Sequence, residues 1–168
     1  MKKLLSLLLV CCLIMGICTT ATAAEIGVFD TTKSFLAWLS ENDLHYNYIG
    51  VNDNNRERIT IKMNGNNCES FNVECFFYED NQSAAMYVWN IIEYHQIDLS
   101  KVLYACNELN SDYRFVSFYC DESDNTVTAQ TDAVFSGTEN AGEIAGIHFL
   151  KLINIVDEGY PTLSEYGQ

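Results

Sequence analysis

The sequence predicts an α+β domain in which helices pack on a twisted antiparallel sheet. Three observations predict it. Apolar residues recur at helical spacing in three separate segments, near residues 32–41, 98–110 and 138–158. Between the first and second segments the period falls to two, and polar clusters (VNDNNRER, NGNN and YEDNQS) interrupt it at intervals suited to turns. A further alternating stretch lies between the second and third. The expected order is α-β-β-β-β-α-β-β-α.

The first helix is read from Thr32 to Glu41, capped by Thr31 or Thr32, with Phe35, Leu36, Trp38 and Leu39 at helical spacing and Asn42-Asp43 as the break. A meander should follow, with strands at 44–51, 58–63, 70–78 and 84–92. Asp98 or Ser100 then caps a second helix with one apolar stripe, Leu99, Val102, Leu103, Cys106 and Leu109. Strands at 113–120 and 126–134 are joined by DESDN, a hairpin turn that lacks the glycine and distal glutamate of a calcium loop. Ser136-Gly137-Thr138-Glu139 has the form of a capping box for a last helix ending near Glu158, before Gly159 and Pro161.

Asn107 and Asn110 lie three apart on one face of the second helix. Asn110 is expected to close that helix in the left-handed conformation, which asparagine tolerates, and Asn107 to reach the following strand or a loop. In the last helix Ala141, Ala145, Phe149, Leu152, Ile153 and Val156 fall on the core arc. Gly142 and Gly146 sit at its edge, where a missing side chain lets another backbone come close. Ile147 and Leu150 point away, a candidate seam for a homodimer.

Residues 1–24, MKKLLSLLLVCCLIMGICTTATAA, have the form of a cleaved signal peptide: Lys2 and Lys3, an apolar run too short for the roughly 18 residues of a spanning helix, then small residues. Export to the cell envelope or medium is the expectation, with residues 25–168 forming one domain. The formal net charge of −14 argues against nucleic acid and anionic membranes as partners.

Cys11, Cys12 and Cys18 fall in the leader. Cys68, Cys75, Cys106 and Cys120 match no zinc spacing; buried thiols are expected first, one disulfide second, and the pairing is open. His45, His95 and His148 show no metal-ligand spacing, and no nucleophile motif or phosphate-cradling loop is present, so neither a catalytic residue, a metal nor a cofactor is expected. The alternative is a small secreted hydrolase that uses His148 or His95 with a carboxylate. Aromatic residues are the conspicuous feature: the third and fourth strands are apolar on both faces, so helices, a second subunit or a protein or peptide partner should cover the second one. Tyr78, Tyr87 and Trp89 are the candidate partner-binding residues.

The stretch VLYACNELNSDYRFVSFYCDESDNTVTAQTDAVF, followed by NAGE and LINIVDEGYP, resembles the YbjN family, named for a bacterial sensory transduction regulator. The match covers Val102 to Pro161. The resemblance implies the fold of class I type III secretion chaperones and supplies no catalytic residues. It points to a non-enzymatic binding or adaptor domain, sensory or chaperone-like. The leader sets this chain apart from the family's cytoplasmic members.

Overall fold

The computed structural model describes residues 29–167; the leader read at 1–24, with its three cysteines, lies outside the described residues. Helix α1 spans Asp30–Glu41 and strands β1 to β4 span Asn47–Val51, Arg56–Met63, Phe71–Tyr78 and Ser83–Val88. Helix α2 (Leu99–Asp112), β5 (Ser117–Asp121), β6 (Thr126–Val134) and α3 (Ala141–Ser164) follow. The six strands form one antiparallel sheet in the order β1-β2-β3-β4-β6-β5, so β6 inserts beside β4 and leaves β5 at the edge. The expected element order holds. The sheet is a meander extended by one hairpin.

The hairpins close where the polar clusters placed them, and three of them turn on an asparagine at positive φ: Asn55, Asn81 and Asn125. Asparagine takes that conformation at low cost because its amide bonds nearby backbone. DESDN is such a turn, with Asp121 accepting the Ser123 N–H at 3.0 Å and Asp124 accepting the Thr126 hydroxyl at 2.6 Å.

All three helices lie on one face of the sheet. Facing residues across the ladder define that face: Phe77 opposes Ala84, which opposes Ala133, and Phe118 opposes Ala129. Phe35 of α1 packs on Phe77 at 5.3 Å and on Phe149 of α3 at 6.2 Å between ring centres. Leu109 of α2 packs with Phe118 against the bare backbone of Gly159. Gly142 and Gly146 admit α1, as their spacing foretold. A β-carbon at Gly142 would overlap the Ser34 carbonyl, and one at Gly146 the Trp38 ring. Ile153 is only partly buried.

Several expected boundaries move. Strand β1 begins at Asn47 rather than Leu44, β4 stops at Val88 rather than Ile92, and β5 begins at Ser117 rather than Tyr113. No helix start carries the expected side-chain cap. Helix α1 is preceded by Phe29, and Thr31 turns to Asn81, which accepts both its N–H and its hydroxyl at 3.1 Å. The capping box does not form, because α3 starts after Asn140. Leu103 is exposed and Ala105 takes its place in the α2 stripe.

Helix α3 also runs straight through Gly159 and Pro161 to Ser164. Proline lacks the N–H that would bond the carbonyl four residues back, here Asp157. The Asn67 amide supplies the missing donor to that carbonyl at 3.1 Å. The Asp157 carboxylate in turn accepts the backbone N–H groups of Asn66, Asn67 and Cys68 at 2.8–3.0 Å. The 64–70 loop thus repairs the helix and is held by it.

A candidate binding face on the open side of the sheet

Among the described residues no helix covers the other face of the sheet. Across it, Arg58 opposes Phe76, then Ala85, then Asp132; the next row runs Thr60, Glu74, Tyr87, Gln130 and Ser117. Arg56 opposes Tyr78. Because Ala85 is small, the large side chains beside it lean together. Phe76 meets Tyr87 edge-on at 5.9 Å and Trp89 at 5.7 Å, and Tyr87 stacks on Trp89 at 5.3 Å and 17°. The Arg56 guanidinium lies 5.0 Å over Phe76 and 5.7 Å over Tyr78. The expected cover by helices is not found among the described residues, because α1, α2 and α3 all pack on the opposite face; the face's own side chains shield part of it instead. Phe76 is 6% exposed, while Trp89, at the rim, is 40% exposed.

The two arginines differ. Arg58 donates to Glu74 at 2.6 Å, and the Thr60 hydroxyl donates to the same carboxylate at 3.0 Å. That bond raises the Arg58 pKa. Arg56 makes no ion pair among the described residues, and its Nε is buried without a hydrogen-bond partner. Burial, with Tyr78 and Asp132 nearby, pushes the Tyr87 phenol up, so it remains a protonated donor. A cleft of about 360 Å³ opens beside Trp89, where Asn72, Glu74 and Asn90 line it with Phe71 and Ile91.

Tyr78, Tyr87 and Trp89, singled out from the sequence, therefore share one surface. Phe76, on the same side of its strand as Tyr78, joins them; Arg56, Arg58 and Glu74 complete the surface and were missed. Their signal was present in the alternation Arg56, Arg58, Thr60, Lys62, but a polar row with no known partner strand reads as solvated. Ile147 and Leu150 are 45% and 41% exposed on the helical layer, remote from this face, so the two candidate seams do not merge into one patch.

Asn110 does not end α2. The helix continues to Asp112, and Tyr113 after it is extended. The Asn110 amide instead donates to the Phe118 carbonyl at 2.9 Å and accepts the Phe118 N–H at 2.7 Å. It thereby takes the place of a neighbouring strand on the outer edge of β5. Asn110 performs the reach expected of Asn107, which is exposed.

The histidines sit on different elements. His148 shares a hydrogen bond of 3.2 Å with the Thr131 hydroxyl on the helical side of the sheet, and burial followed by Lys151 lowers its pKa. Among the described residues no carboxylate hydrogen-bonds the His148 ring, although Asp132 is near enough to offset part of the shift. The open face presents the rings of Phe76, Tyr78, Tyr87 and Trp89 beside Arg56, Arg58, Glu74 and Asp132.

No family model matches the sequence, and no curated protein matches it. Solved structures do. YbjN of E. coli, described as a candidate transcription regulator, superposes over 77% of this chain and 91% of its own, with a TM-score of 0.51 at 8% identity. The fold is YbjN-like. A chain of the heterodimeric ExoU–SpcU complex, from the type III secretion system of Pseudomonas aeruginosa, matches with a TM-score of 0.47 at 14% identity, over 79% of this chain and 96% of that one. The YbjN-like α+β architecture, an antiparallel sheet with packed helices, is the one expected.

Proposed function

We propose that this chain is an exported, non-enzymatic member of the YbjN family that holds a polypeptide segment of another protein on the open face of its sheet. One observation carries the reading: a cluster of Trp, Tyr, Phe and Arg on the face that none of the described helices covers. These residue types dominate the energetics of protein interfaces because they combine area with few rotatable bonds and a polar handle. The partner segment carries a carboxylate beside an apolar side chain. Of nine lysines and arginines in a chain of net charge −14, Arg56, Arg58 and Lys62 stand on one row of this face. Arg56 has no counter-ion there. Glu74 and Asp132 share the face but are outnumbered by these three cations, and fixed charge beyond about 8 Å is screened at physiological salt. The signal-like leader supports export, and the YbjN-like fold supports the family.

A peptide-display selection on the purified protein tests this. Peptides pairing Asp or Glu with an apolar residue should be enriched and should bind less tightly as salt rises. Arg56→Ala and Trp89→Ala should each weaken them about tenfold or more with the melting temperature kept within a few degrees. Failure to enrich such peptides, or equal binding by both variants, overturns the reading. A wild-type dimer dissociated by the same substitutions would name a second copy as the occupant and overturn it too.

A further inference from the structure

We propose that Cys106 and Cys120 are an oxidisable pair, closed to a disulfide by a small-molecule or protein disulfide and reopened by thiols, which locks α2 to the edge strand of the sheet. The inference is independent of what the open face binds.

The geometry follows from the Asn110 clasp. Both Asn110 bonds go to Phe118, which fixes α2 against β5 at that point. One turn back along the helix, about 6 Å, is Cys106, on the same helical face. Two residues on along the strand, about 6.6 Å, is Cys120, on the same face as Phe118. The chain reverses between the helix and the strand, so both steps go in the same direction and the two cysteines meet. The two thiols lie close enough to perturb each other's ionisation. The buried Tyr94 hydroxyl, which lacks an oxygen or nitrogen partner, stands beside the Cys120 sulfur. Cys75, by contrast, is enclosed in the core, and the Cys68 thiol turns to the Ser70 carbonyl at 3.9 Å.

The chemistry begins at Cys120, the more exposed of the two. Its thiolate attacks one sulfur of the donor disulfide and releases one thiolate, which is protonated. The Cys106 sulfur then displaces the second donor thiol from Cys120, and the Cys106 proton goes to the departing sulfur. Two S–H bonds are lost, one S–S bond forms, and the donor disulfide is reduced to two thiols. Burial pushes the Cys106 thiol up to about 12, so the second step is slow until the adjacent mixed disulfide presents its sulfur.

The test uses the full chain, purified reduced, incubated with excess oxidised glutathione, digested with trypsin without reduction and melted in parallel. Cleavage at Lys101, Arg114 and Lys151 puts Cys106 and Cys120 in different peptides, 102–114 and 115–151, and leaves Cys68 and Cys75 in 63–101. The expected result is a linked 102–114/115–151 product two hydrogens lighter than the free peptides. The melting temperature should rise by about 6–12 °C, as closing a loop of this length predicts, and fall back on treatment with dithiothreitol. Cys106→Ser should abolish the link, and Cys75→Ser should leave it. A link that includes 63–101, a stable glutathione adduct on Cys120 without the link, no oxidation, or a link that does not raise the melting temperature overturns the proposal on the wild-type protein alone.

Discussion

Replacing Asn110 separates two accounts of the same residue. In the structure its amide makes two hydrogen bonds to the backbone of Phe118, at 2.7 and 2.9 Å. Phe118 is buried, so water reaches its freed N–H and carbonyl poorly. Each bond contributes about 1 kcal/mol net, which gives about 2 kcal/mol for the clasp. Alanine recovers roughly 0.5 kcal/mol through its better helix propensity, so Asn110→Ala should cost about 1.5 kcal/mol. Asn110→Gly should cost about 1 kcal/mol more than alanine, because the position lies inside a helix. A left-handed helix terminus predicts the opposite order, with glycine near neutral and alanine strained. Urea unfolding followed by far-UV circular dichroism reads the difference as a shift in midpoint at constant slope. A glycine variant more stable than the alanine variant, or an alanine variant within 0.5 kcal/mol of wild type by the same yardstick, refutes the clasp.

Four further outcomes follow from the packing and the electrostatics. Gly142→Ala should destabilise by about 2 kcal/mol in chemical denaturation despite the helix propensity gained, because the added methyl meets the Ser34 backbone, which cannot turn aside. Asn67→Ala should cost about 1 kcal/mol by unpairing the carbonyl that Pro161 leaves without a donor, and a double change with Pro161→Ala should recover most of it in the same assay. Asp157 is held below the usual carboxylate range by the Cys68 N–H above all, with Asn67 and Asn66 adding to it. Its stabilising share is therefore complete above the unfolded-state pKa near 4 and is lost as pH falls through the folded value. Asp157→Asn should flatten the acid limb of a stability-against-pH curve. His148 behaves in the same sense at higher pH: burial, then Lys151, lowers its pKa, so stability is full above about pH 6.5 and declines below it as the unfolded imidazole takes up a proton first. His148→Gln should remove that decline, measured between pH 7.5 and 5.

The local signals served well wherever the deciding interaction lies within a few residues. Turn asparagines, the alternation of the strands and the small residues at Gly142 and Gly146 are of this kind, since backbone sterics and side-chain periodicity act at short range. They failed where a distant residue supplies a missing bond. Pro161 is read as a stop because the sequence does not show that Asn67 stands beside Asp157. Thr31 is read as a cap because the sequence does not show Asn81 next to it. Asn110 is read as a terminus because its partner strand lies beyond a reversal of the chain.

The candidate binding face divides in the same way. The sequence by itself determined that the third and fourth strands are apolar on both sides, because side chains alternate along any strand, and so it picked out Tyr78, Tyr87 and Trp89. Only the tertiary structure decided that all three helices take one side, that β2 lies against β3, and hence that Arg56 and Arg58 stand over Phe76. Strand order and register are set by the summed burial of the whole core, a property no single segment carries.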